Sequence, residues 1–320
     1  MNRRDFFKRI GLGSALIATS QLPAQAEDNP SVFPKRGRFE RLSLSMVTVE
    51  IGLPKPFSVL HISDTHLTAA YPHESQKKQK LHQLRTQTFG GRQEEALQDS
   101  LAWARQHVDY IVHTGDLIDW QSEANYDLAR KYFGQSIIGC VGNHEYSPDM
   151  WLSEPKETAT EDSKAPYREQ LQRAYPFDIS FYAREAGGVN FVALDDVFGT
   201  VTEQQVERFR QEVAKGLPIV MCLHVPLFTD AIYRANHHFW AKTDLRFTNG
   251  AIPSVTGDYL KQQTDPVTAD FISYLKQLPQ LKAILCGHLH FTTQDRFSPT
   301  AMEYVVGGNF LFHGQEVLFV

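Results

Sequence analysis

Five short stretches place carboxylate, carboxamide or imidazole groups directly after an apolar run. They are Asp64-Thr65-His66, Gly115-Asp116, Gly142-Asn143-His144-Glu145, His224, and Gly287-His288-Leu289-His290. Oxygen and nitrogen donors of these types, gathered in one place, coordinate cations. A set without thiolate or thioether suits Fe, Mn or Zn rather than Mg or Cu(I). Asp64 and His66 are two apart, so an extended backbone would turn both to one side, within reach of a single cation. His288 and His290 have the same spacing and can serve one cation or two neighbours. Asp116 follows Gly115, which lets the backbone turn sharply where a strand stops, and its two oxygens read as the shared ligand of a two-metal centre. Each motif alone is common, and Gly-Asn-His-Glu also suits an ordinary polar turn. The ordered recurrence at successive strand ends gives the set its weight.

The elements that must carry these groups are legible from periodicity. Leu42 to Ile51 alternates like a strand, with a bulge expected where the alternation changes phase. Phe57 to Ile62, Val108 to Val112, Ser136 to Val141, Leu217 to Leu223 and Leu281 to Cys286 read as buried strands, each ending at a motif. Ile179 to Arg184 and Val189 to Leu194 form a hairpin around Gly187-Gly188. Helices are expected over Glu94 to His107, Glu123 to Phe133 and Tyr167 to Ala174, then from the capping box Thr202-Glu203-Gln204-Gln205 and from Asp265-Pro266. A strand–helix–strand order implies parallel crossovers, and open α/β sheets hold ligands at the carboxyl ends of their strands. The tail from Thr292 to Val320 reads as antiparallel strands with a Gly307-Gly308 turn. Three insertions stand apart: 69–92, polar, Lys-rich and read as a solvated excursion with some helix; 147–166, acidic; and 229–264, aromatic and His-rich, read as a loop with its own apolar cluster or, because it follows His224, as a lid over the site.

At 320 residues, 42% hydrophobic and 22% charged, the chain suits one large α/β domain. A formal net charge of −5 without a basic stripe argues against a nucleic-acid partner. Cys140, Cys222 and Cys286 each lie in an apolar run and read as buried structural thiols. His61 and His113 lie inside strands and read as packed or hydrogen-bonded core groups.

The first residues read as an address. Arg3-Arg4, an apolar stretch from about Ile10 to Ala18, and Ala24-Gln25-Ala26 before Glu27 make a signal peptide of twin-arginine type. The apolar stretch is too short for a stable membrane anchor. Residues 1–26 would then be removed by cleavage near Ala26. A periplasmic or secreted mature domain, 27–320, would remain, and the precursor's partner would be the twin-arginine export machinery.

The ordered motifs between Phe57 and His290 resemble the calcineurin-like metallophosphoesterase superfamily. That resemblance implies an α/β fold, a β-sandwich flanked by helices in four layers, α/β/β/α. It implies two divalent or trivalent metal ions, one held by Asp64, His66 and His290, the other by Asn143, His224 and His288, with Asp116 between them. Two such ions roughly 3.5–4 Å apart activate a bridging hydroxide for in-line attack on a phosphate ester. His144 is then free of metal and available to protonate the leaving oxygen, with Glu145 beside it as an orienting group. Purple acid phosphatases carry a Tyr three residues after the bridging Asp. Here that residue is Asp119, and the Gly-Asp-x-x-Asp form looks more like the phosphodiesterase branches. The expectation is an exported phosphoesterase acting on a small phosphate ester, a diester before a monoester. A non-catalytic metal-binding scaffold on the same fold is the alternative from another class.

Overall fold

A computed structural model describes residues 39–134, 137–148, 161–243 and 265–320, with the side chains of 241–243 excepted. Among the described residues eleven strands make two mixed sheets. The first contains β1 (Ser43–Val49), β2 (Phe57–Ile62), β3 (Tyr110–Thr114), β4 (Ile137–Cys140) and β11 (His313–Phe319), in the order β1-β11-β2-β3-β4. The second contains β5 (Phe181–Ala186), β6 (Val189–Leu194), β7 (Ile219–Cys222), β8 (Leu281–Cys286), β9 (Thr293–Arg296) and β10 (Met302–Val305), in the order β5-β6-β7-β8-β10-β9. β2, β3 and β4 run parallel, as do β6, β7, β8 and β10. The carboxyl ends of β2, β3, β4, β7 and β8 carry the motifs.

Alternation along the strands builds the layers. In β2, Val59 faces the other sheet and Leu60 faces the helices. In β7, Val220 and Cys222 face inward while Ile219 and Met221 face outward. The inter-sheet layer is filled by Phe57, Phe191 and Phe319, whose rings meet at 5.0–6.3 Å. The outer face of the first sheet is covered by α2 (Gln93–His107), α3 (Glu123–Tyr132) and α4 (Ala165–Ala174), through Leu97, Leu101, Ala129 and Leu171. The outer face of the second is covered by α5 (Glu203–Val213) and α7 (Pro266–Gln277), through Val206, Phe209, Phe271 and Leu275. The order α/β/β/α is therefore observed. Both halves of the Thr202–Gln205 capping box form, and Asp265 caps α7 with Pro266 in its first turn.

Several expectations need correction. β1 pairs with β11 in unbroken register from Ser43 to Val49, so no bulge forms. The insertion 69–92 does hold the helix expected in it, α1 (Gln76–Thr88), capped by Ser75. Asp230–Thr243 is a helix, α6, where a loop was expected. Its buried stripe is Ile232, Asn236 and Trp240, and the Asn in the middle breaks the apolar period. The remainder of the proposed lid, 244–264, lies outside the described residues, as do 149–160 of the acidic insertion and the whole signal-peptide reading. After Gly307-Gly308 the chain does not turn back as a hairpin. It crosses to the first sheet, where β11 runs parallel to β1 and antiparallel to β2. The three cysteines are free and buried, as expected.

Candidate metal centre

The loops after β2 and β3 are laced together before any side chain is considered. Asp64 N–H donates to Gly115 O (3.0 Å), His66 N–H to Asp116 O (2.9 Å) and Leu67 N–H to Leu117 O (2.8 Å). Asp64, His66, Asp116, His288 and His290 all have positive φ, between 53° and 69°. The pairs two apart therefore come together through left-handed turns past the strand ends, not through the pleat of an extended backbone. Such a conformation costs a non-glycine residue on the order of 1–3 kcal/mol and is found where function over-determines the backbone. Two glycines permit the close approach of neighbouring loops. A Cβ on Gly142 would lie 2.2 Å from Asp116 Oδ1, and one on Gly287 would lie 1.8 Å from Ser63 Oγ.

The seven expected ligands converge as two sets. In one, Asp64, His66, Asp116 and His290 each aim a donor atom at the others within 4.8 Å. His66 Nε2 is 3.1 Å from His290 Nε2, which is 3.2 Å from Asp64 Oδ1. In the other, Asn143 Oδ1 is 3.1 Å from both His224 Nε2 and His288 Nδ1. Asp116 Oδ2 reaches both sets, 3.3 Å from His224 Nε2 and 3.8 Å from His66 Nε2. Asp64 Oδ1 accepts no well-formed hydrogen bond although it is fully buried. A buried carboxylate oxygen without a well-formed hydrogen bond among the described residues, facing converging imidazole nitrogens, fits a cation site, and the donor set has the mixed O and N character such a site needs.

Neighbouring groups fix the imidazoles. His224 Nδ1 donates to Thr114 O (2.8 Å) and His66 Nδ1 to Asp119 Oδ1 (2.9 Å), so each turns Nε2 into the cluster. Burial, with the nearby imidazoles, pushes His66 down to about 4 and His288 down to about 3, so both are neutral. Burial works against ionisation of Asp64 and Asp116 too, but facing histidines, His290 and His224 foremost, hold both carboxyls below the usual range. At His224 burial also disfavours charge. There the Asp116 carboxylate prevails and pushes it up to about 10.

His144 stands beside the two sets. Its Nδ1 lies 2.9 Å from Asp119 O and 2.8 Å from Asp119 Oδ1, and its Nε2 is 3.8 Å from Asp116 Oδ2. Burial opposes charge on it, but Asp116 and Asp119 push it up to about 8. Glu145 does not orient His144. Its carboxylate accepts the N–H groups of Asp116 (3.0 Å), Leu117 (2.8 Å), Ile118 (3.2 Å) and Gly142 (2.7 Å), and the Tyr175 hydroxyl (2.9 Å). It ties the loop after β3 to the loop after β4. Asp196 does the same for the loop after β7, accepting the N–H groups of His224 and Val225. Sequence reasoning missed Asp196, although Leu194-Asp195-Asp196 is another apolar run ending in carboxylates. His61 and His113 bond to Thr114 and Thr65 at 2.9 Å and stay out of the cluster, as expected. His66, Asp119 and His144 also converge within 4.8 Å. Both Asp119 oxygens, however, take hydrogen bonds from Arg85, so a guanidinium already supplies the positive charge there.

Residues 57–291 match the family model of calcineurin-like phosphoesterases. Comparison with curated proteins gives no match. Among solved structures, the chain is similar to a dimetal phosphatase from Danio rerio, with 16% identity over 79% of this chain and 88% of that one and a TM-score of 0.44. It is similar to a predicted phosphoesterase from Streptococcus pneumoniae, with 10% identity over 79% and 74% of the two chains and a TM-score of 0.27. A third is a 5'-nucleotidase from Candida albicans, with 12% identity, 84% of this chain and 47% of that one covered, and a TM-score of 0.38.

Proposed function

The chain belongs to the calcineurin-like phosphoesterase family, and from that membership we propose a dinuclear centre that hydrolyses a small phosphodiester. The family assignment makes the protein a metal-dependent phosphoesterase. In the reading proposed here, Asp64, His66 and His290 hold one cation and Asn143, His224 and His288 the other, with Asp116 shared. The observation that carries it is the Asp116 carboxylate, whose Oδ2 faces both sets. When bound, the pair supplies Lewis acidity toward a phosphoryl oxygen and toward water.

The chain's own groups do the rest. Asp119 holds the His144 ring by Nδ1 and leaves Nε2 on the Asp116 side, toward the proposed metals. His144 donates its proton to the departing oxygen, a contribution typically worth about 10²–10⁴ in rate. Glu145 and Asp196 keep three ligand loops in place through backbone N–H groups. Asn143, His288 and His290 are only partly buried and mark the open face where substrate enters. Asp119 in the Gly-Asp-x-x-Asp form supports a diester over a monoester. Arg3-Arg4 and the Ala24-Gln25-Ala26 signal support export to the periplasm or beyond. Among the described residues no helix is long and apolar enough to cross a membrane.

The test is a panel of mono- and diesters with leaving groups from alkoxide to nitrophenolate, run on metal-analysed protein and on His144→Asn. The variant should keep two metals, lose most activity on alkyl esters and lose much less on nitrophenyl esters. A uniform loss with metals retained would overturn the acid role. Faster turnover of monoesters than diesters would overturn the substrate class.

A further inference from the structure

Arg85 lies on α1, in an insertion that supplies no proposed ligand. Leu81 and Arg85 are the buried side chains of that helix, and buried Phe89 follows at the same spacing of four, so one stripe of α1 is pressed inward. The guanidinium takes both oxygens of Asp119: Nη2 donates to Oδ1 at 2.7 Å and Nε donates to Oδ2. The Asp119 carboxylate in turn accepts from His66 Nδ1 at 2.9 Å and lies 2.8 Å from His144 Nδ1. The Phe89 ring stacks on the His66 imidazole, with centroids 4.4 Å apart and planes 11° apart. Arg85 Cζ sits 4.8 Å over that same ring.

Resting on the reading that His66 is a ligand and His144 a proton donor, we infer that Arg85 is a positioning residue that sets both imidazoles through one carboxylate. A lone carboxylate turns easily about its last torsion, whose wells are broad. A two-point guanidinium fork fixes its plane, which a single ammonium does not. With the Asp119 plane fixed, His66 presents Nε2 to the ligand set and His144 presents Nε2 toward Asp116. Arg85 has a second effect. His66, Asp119 and His144 lie close enough to hold a cation themselves. With both Asp119 oxygens taken by Arg85, that trio does not compete with the centre beside it.

The experiment compares Arg85→Ala, Arg85→Lys and Leu81→Ala with the wild-type chain. Mn2+ affinity is read by competition with a chelator, and rates are read across leaving groups. Arg85→Ala should bind one Mn2+ about 10–100-fold more weakly, the usual effect of losing a group behind a ligand. It should also lose more rate on alkyl than on nitrophenyl esters, and methylguanidinium in solution should recover both properties. Arg85→Lys should fall between. Leu81→Ala should lower thermal stability while leaving Mn2+ affinity and leaving-group dependence as in the wild type. Native affinity with a uniform rate loss in Arg85→Ala would overturn the inference. So would a Leu81→Ala variant that reproduces the Arg85→Ala losses, since α1 docking would then be the cause. Should Arg85→Ala not fold, Arg85→Lys decides, and wild-type behaviour there overturns the inference. His66→Ala and His144→Asn run alongside. If they leave affinity and leaving-group dependence unchanged, the site reading fails and Arg85 with it; if they respond and the Arg85 variants do not, only the role of Arg85 falls.

Discussion

Gly142→Ala is the smallest change that should break the centre. Gly142 does not have positive φ, so alanine meets no backbone objection there. The difficulty is space. The added methyl would lie 2.2 Å from Asp116 Oδ1, 2.6 Å from Asp116 N and 2.8 Å from His224 Cε1. Real Cβ contacts stay beyond 3.0 Å, so the Asp116 oxygen and Gly142 must separate by at least 0.8 Å. Neither gives easily, because Asp116 Oδ1 accepts His144 N–H and Gly142 N–H donates to Glu145. Overpacking of this kind costs about 1–3 kcal/mol. A ligand atom tolerates about 0.2 Å of error, so the shared carboxylate loses its place between the two sets. A displacement approaching 1 Å at a reacting centre costs on the order of 10² in rate. Thermal unfolding, metal content and hydrolysis of a nitrophenyl diester measure the three effects. Gly134→Ala is the control, since nothing among the described residues lies within 4 Å of its added methyl. Two metal equivalents and full activity in Gly142→Ala would refute the bridging placement of Asp116.

Other outcomes follow from the same geometry. Asp116→Asn should lower occupancy of both metals, whereas His66→Ala should lower mainly one; metal analysis decides, and two retained equivalents in Asp116→Asn would count against a shared ligand. Glu303 is fully buried, accepts Leu227 N–H through Oε1, and among the described residues has no hydrogen-bond partner at Oε2. Burial pushes it up to about 8, above the roughly 4.3 of an unfolded glutamate, so its stabilising share is complete below the unfolded value and lost as pH rises through about 8. Thermal unfolding from pH 5 to 9 should therefore fall less steeply in Glu303→Gln than in the wild type, and equal slopes would contradict a neutral Glu303. Thr202→Ala removes one half of a formed capping box and should cost about 1 kcal/mol in chemical denaturation; an unchanged midpoint would show that tertiary packing alone holds α5.

The candidate site was unusually legible because its groups follow strands whose apolar runs are easy to read. Asp64, Asp116, His224 and His288 each come within two residues of a strand end, so local pattern and site coincide. What escaped reading acts across the fold. Arg85 is 34 residues from Asp119, in a polar stretch where one arginine among lysines carries no signal. Tyr175 reaches Glu145 from the end of a helix whose pattern says only that it packs. The left-handed backbone at five of the proposed ligands was invisible because Asp and His, unlike Gly, do not announce it. α6 was hidden by Asn236, a polar residue on its buried stripe, and β11 by a crossover that no short window records.

The place of β11 bears on how the molecule is made. Ser45 and Gln315 are bonded neighbours, yet 270 positions separate them. β1 and β2 leave the ribosome early, with an open slot between them that only β11 fills. β2 leads directly into Asp64 and His66, so during synthesis these two groups hang from a strand that lacks one of its neighbours. Long-range pairing of this sort is slow, and an unpaired edge invites pairing with another chain. Until β11 is made, β1 and β2 share no strand, and the first sheet cannot close beside the groups that β2 carries.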